Sequence, residues 1–98
     1  MREGVAVMAS TAVDLLKSQG RFEEVIALCE ILLRHHPNDV SAMLWLGSAC
    51  GHLAGELQKK NPNPFAAPPE VRARAAYLMQ RNRHFFTMAE SLGWVPFK

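Results

Sequence analysis

Gln19-Gly20-Arg21-Phe22-Glu23-Glu24-Val25, followed twelve residues later by Pro37-Asn38-Asp39, decides the fold of this 98-residue chain. Gly20 can take the left-handed backbone conformation that ends a helix, at no steric cost. A helix is predicted to start at Phe22 and run to His35, with Phe22, Val25, Ile26, Cys29, Leu32 and Leu33 as its apolar stripe. Glu23 and Glu24 in the first turn, and Arg34, His35 and His36 at the far end, match the sign of the helix dipole at each terminus. Pro37 stops this helix. Asn38 or Asp39 then caps a new amphipathic segment that begins at Val40.

Outward from that hairpin the pattern stays helical. Val5, Met8, Ala9, Ala12, Val13, Leu15 and Leu16 recur at three- and four-residue steps, predicting a first helix over about Arg2 to Ser18. The third helix, from Val40, buries Val40, Met43, Leu44, Leu46, Gly47, Cys50 and Leu53 and frays between Leu57 and Lys60. Residues 61–68 contain three prolines and read as an extended connector. Pro68 or Pro69 suits the first turn of a fourth helix that runs to Leu92 before Gly93. Its stripe is Val71, Ala75, Leu78, Phe85, Ala89 and Leu92, widened by Met79, Phe86 and Met88 and interrupted by Asn82. Trp94-Val95-Pro96-Phe97 is an apolar tail expected to fold back on the bundle or meet a partner. The expectation is one all-α domain of about four antiparallel helices: residues 1–60, the 61–68 connector, a 69–92 helix and a 93–98 tail.

Composition narrows the class further. No uninterrupted apolar run exceeds five residues, as at Val5–Ala9 and Ala42–Leu46, which is too short for a membrane span or a secretory core segment. A soluble, cytoplasmic protein is expected. Cys29 and Cys50 lie inside apolar helical pattern and read as small buried hydrophobes, not as a disulfide framework. The net charge of +2 is unevenly spread. Residues 1–50 hold four basic against six acidic side chains, and residues 51–98 hold seven against three.

From Ala6 to Leu53 the chain resembles the tetratricopeptide repeat, a helix–turn–helix unit of 34 residues, over about one and a half repeats. The Gly20 turn, Phe22, Val25, Cys29 and Pro37 fall at the places of its pattern in the first unit. In the second unit Leu46-Gly47 match, while Met43 and Cys50 stand where aromatics belong. Gly47 is the sharpest match, because a mid-helix glycine costs stability unless a neighbouring helix, here taken to be the second, comes close. After Leu53 the resemblance ends. It implies an α-solenoid fragment that binds another polypeptide. The family's carboxylate clamp is not expected, since Ser10, Asp14 and Trp45 occupy the matching places and Asp14 repels a carboxylate.

The groove that the resemblance implies is lined by Ser10, Asp14, Ser41, Leu44, Trp45, Ser48 and His52, with Trp94 and Phe97 of the tail as further contacts. Such a mildly acidic, apolar surface suits an amphipathic helix or an extended segment with an apolar anchor. One and a half repeats leave apolar faces open, so a homo-oligomer or a stable hetero-complex is expected, in the manner of a small chaperone or assembly factor. Chemistry finds no support. His35-His36 lack the paired spacing of a zinc site, and the adjacent Glu23 and Glu24 point in different directions on a helix. No cofactor, metal or catalytic residue is predicted. Arg72, Arg74, Arg81, Arg83 and His84 raise nucleic-acid binding as the rival reading, but they divide between two sides of the fourth helix.

Overall fold

A computed structural model describes residues 11–63 and 65–95, and among these the chain is all α. Helix α1 is described over residues 11–18; α2 spans Phe22–His35, α3 Val40–Lys60 and α4 Pro69–Ser91. The predicted start of α1, with Val5, Met8 and Ala9, lies outside the described residues.

Local chemistry sets each boundary. Gly20 has φ +72°, and the Arg21 N–H donates to Leu16 O at 2.9 Å, so the end of α1 is closed by its own turn. Pro37 ends α2. The Asp39 side chain accepts from the Ala42 N–H at 3.2 Å and caps α3. Asp39→Ala should therefore cost about 0.5–2 kcal/mol in a urea titration. Asn61 closes α3 through its side chain, which donates to Leu57 O at 3.0 Å. Pro69 opens α4 with Glu70 in the first turn. Gly93, at φ +101°, ends α4 as Gly20 ends α1, with the Trp94 N–H donating to Ala89 O at 3.0 Å.

Helix α3 is the centre of the molecule, packing against α2 on one side and α4 on another. The buried core joins Val13 of α1, Val25 and Cys29 of α2, Leu46, Ala49, Cys50 and Ala54 of α3, and Leu78 of α4. Two ion pairs fix the mutual direction of α2 and α4. Arg74 reaches Glu23 at 2.9 Å and Arg81 reaches Glu30 at 3.1 Å, each pair 51 residues apart in the chain. Equal separation over a seven-residue step means that α2 and α4 lie side by side and run the same way.

Several predicted core positions are corrected. Leu15, Met79 and Leu92 are exposed, at 57%, 40% and 45%. Leu15 and Leu92 each lie within a turn of a glycine-terminated helix end, where little chain remains to cover them. The neighbour of Gly47 is also corrected. A Cβ at that position would meet Phe86 at 3.1 Å and the Asn82 carbonyl at 3.4 Å, so the close approach is made by α4, not α2.

Candidate functional site

Ser41, Ser48 and His52 recur along α3 at steps of seven and four, and Gly55 and Lys59 continue the same row. The C-terminal part of this row forms one wall of an open cleft of about 450 Å³. Ser48, Gly51, His52, Gly55, Glu56 and Lys59 come from α3, and Asn82 and Phe86 of α4 form the facing wall. Ser48 and His52 are thus the two predicted groove residues that the cleft brings together.

The remaining predicted contacts are spread around it. Trp94 is half-buried, its ring centroid 5.6 Å from that of Phe86, which places the start of the tail next to the α4 wall. Trp45 is half-buried and packs against the core, and Leu44 is half-buried. Ser41 and Asp14 are exposed. Ser10 and Phe97 lie outside the described residues. Given its packing, Trp45→Ala should lower stability by about 2–4 kcal/mol, short of the full cost for a wholly buried tryptophan, in a circular-dichroism melt.

What shapes the cleft is a stripe of glycines, Gly47, Gly51 and Gly55, spaced four apart on one face of α3. Asn82 lies over it and donates its amide to Gly47 O at 2.7 Å. A Cβ on Gly51 would come within 2.9 Å of that amide nitrogen, so the missing side chain is what admits Asn82. Around Gly55 the space is open: a Cβ there would meet nothing within 4 Å. The stripe therefore extends one turn beyond what α4 fills. His52 also stacks on Phe22, centroids 4.8 Å apart, tying the start of α2 to α3 at the edge of the cleft.

A second, smaller groove of about 170 Å³ separates α2 from α4. Ile26, Ala27, Cys50 and Leu78 line its apolar part. Its edges carry the Glu23–Arg74 and Glu30–Arg81 pairs with Tyr77, whose ring lies 5.8 and 5.6 Å from the two guanidinium carbons. Arg74 and Arg81 were legible as basic residues of the fourth helix, but their glutamate partners are supplied only by the tertiary register. Glu24, next to Glu23, pairs with Arg21 instead.

Both thiols are wholly buried, and burial pushes both up. Cys50 is raised despite Arg81 and Arg74 beside it, an electropositive setting that was not legible in its apolar sequence neighbours. Cys29 is pushed up to about 12 from an ordinary 9.0. A thiol raised on folding contributes its full stability below pH 9.0 and loses it as the pH climbs towards about 12. Stability should therefore fall over that window, and Cys29→Ala, though less stable at neutral pH, should show a shallower fall in urea titrations.

Among the described residues no group of three or more His, Cys, Asp or Glu side chains stands together to hold a metal ion, and no described helix is long and apolar enough to cross a membrane. Compared with protein-family models, curated proteins and solved structures, the chain matches none.

Proposed function

We propose that the chain is a non-catalytic interaction module, built like a short tetratricopeptide-type solenoid, which binds a helical or extended segment of another polypeptide along the open face of α3. The observation that carries this reading is the glycine stripe. Gly47 and Gly51 are matched by Phe86 and Asn82, but Gly55 faces open space beside Ser48, His52 and Lys59. A glycine inside a helix costs about 1 kcal/mol relative to alanine. At Gly55 nothing in the described chain offsets that cost, whereas a segment laid along the cleft gains close backbone approach there. The side-by-side α2 and α4 flanking α3 also suit the repeat reading, in which the next helix of a stack would lie over α3 and α4. A partner's helix or strand takes that place, with the chain serving as a small chaperone or assembly factor.

The rival reading, nucleic-acid binding through α4, has less behind it. Of its five basic residues, Arg74 and Arg81 are engaged by Glu23 and Glu30, leaving Arg72 and Arg83, about three helical turns apart on another side, and exposed His84, a sparse basic face for a phosphate backbone.

Gly55→Trp fills the cleft from an open position and should leave the fold intact while lowering partner affinity about tenfold or more, in line with loss of a central contact. A photo-crosslinker at Ser48 should join the same partner that affinity purification from the native host recovers, and one at exposed Arg34 should not. Equal crosslinking from both positions, or unchanged affinity of Gly55→Trp, would overturn the cleft as the binding face.

A further inference from the structure

Phe65 is the least covered large hydrophobic side chain described. It is 91% exposed, against 40–57% for the other exposed large hydrophobics. Its backbone is held by hydrogen bonds. The Phe65 N–H donates to Asn63 Oδ1 at 3.1 Å, and the Ala66 N–H donates to Asn63 O at 3.1 Å, so an Asx-type turn presents the ring. Only the side chain of Phe65, and not its backbone, has freedom to lose when it inserts into a partner.

The α2/α4 groove has the dimensions and chemistry to receive such a ring. Its volume of about 170 Å³ is close to the roughly 150 Å³ at which an apolar cavity in another protein accepts benzene. Ile26 and Ala27 supply apolar contact above a floor of buried Cys50 and Leu78, and Arg74 and Arg81 supply guanidinium planes that already lie over one aromatic ring, Tyr77. The charges at its edges are matched as Glu23–Arg74 and Glu30–Arg81. The groove therefore favours an uncharged occupant, and residues 61–69 carry no charge although Lys59, Lys60 and Glu70 flank them. In its own chain Phe65 is not in this groove, as its exposure demands.

We propose that Phe65 of one copy seats in the α2/α4 groove of a second copy, making a self-association site distinct from the α3 cleft. The contact is small, so association is weak and concentration-dependent.

Two surface variants separate the halves of the contact. Phe65→Ser removes the ring. Ala27→Trp, at an exposed position on the groove wall, fills the acceptor. Sedimentation velocity of the full chain, taken up to about 1 mM, a range suited to weak encounters, should show the wild-type average mass rising above the 10.9 kDa monomer. Each variant alone should remain monomeric, with helical circular dichroism unchanged. Mixing the two variants should restore association, because one keeps the ring and the other keeps the groove. Gly55→Trp should associate like wild type, so this site and the cleft fail or hold separately. A wild type that stays monomeric, an association that either variant leaves intact, or a mixture that remains monomeric would each overturn the proposal.

Discussion

Gly47→Leu is expected to lower the melting temperature by about 5–20 °C, the equivalent of roughly 1–3 kcal/mol in a domain of this size. The added Cβ alone would stand 3.1 and 3.2 Å from the Phe86 ring and 3.4 Å from the Asn82 carbonyl oxygen. The ring can rotate aside, but the carbonyl belongs to the α4 backbone and moves only with the helix. A leucine beyond that Cβ separates α3 from α4 and stretches the Asn82 amide away from Gly47 O. The same stripe supplies its own control. Gly55→Ala adds a methyl where nothing lies within 4 Å, so it should raise stability by up to about 1 kcal/mol through helix propensity. Thermal melts that place the two variants on the same side of wild type would contradict this account of α3–α4 packing.

Leu78→Ala is expected to cost about 2–5 kcal/mol, the range for truncating a buried leucine. Its effect should be local as well as large. Of the 23 residues of α4, only Leu78 and Ala89 are buried, and Ala89 presents a single methyl. Half-buried Phe85 and Phe86 assist. The Arg74–Glu23 and Arg81–Glu30 pairs are partly exposed and worth at most about 1 kcal/mol each. Without Leu78, α4 should detach while α2 and α3 keep their shared Val25, Cys29, Leu46 and Cys50 packing. Amide exchange should then accelerate more in residues 71–91 than in residues 43–54. Uniform acceleration along the chain would mean that the domain unfolds as one unit.

The helix limits were legible because stop signals are local chemistry. Gly20, Pro37 and the proline-rich connector each act on their own stretch of backbone, so α2 was read at its observed limits and α4 to within a residue, while α3, expected to fray from Leu57, runs intact to Lys60 because Asn61 closes it. Burial was less legible at helix ends, where Leu15 and Leu92 carry the right period but lack a neighbour to cover them. Of the cleft, Ser48 and His52 came from the groove that the repeat resemblance implies. Gly51 and Gly55 were missed, although their four-residue spacing from Gly47 was the signal that could have found them. Asn82 was visible only as a break in an apolar stripe. Its meaning depends on two glycines 31 and 35 residues earlier, and no local pattern carries that pairing. The α2/α4 groove was beyond reach for the same reason, since the 51-residue register that joins its glutamates to its arginines is set by how α3 folds between them.

The placement of the two tryptophans makes the molecule its own two-channel optical gauge. Trp45 rests against the core, while Trp94 sits against Phe86 just past the glycine that ends α4. Replacing either indole with phenylalanine leaves a single emitter, one reporting on the central helix and the other on the far end of the last. If the last helix peels away ahead of the rest, the emission of Trp94 should redden at lower denaturant than that of Trp45. The same pair of single-emitter proteins would show whether an added polypeptide perturbs the cleft wall alone or the core behind it, with no label attached.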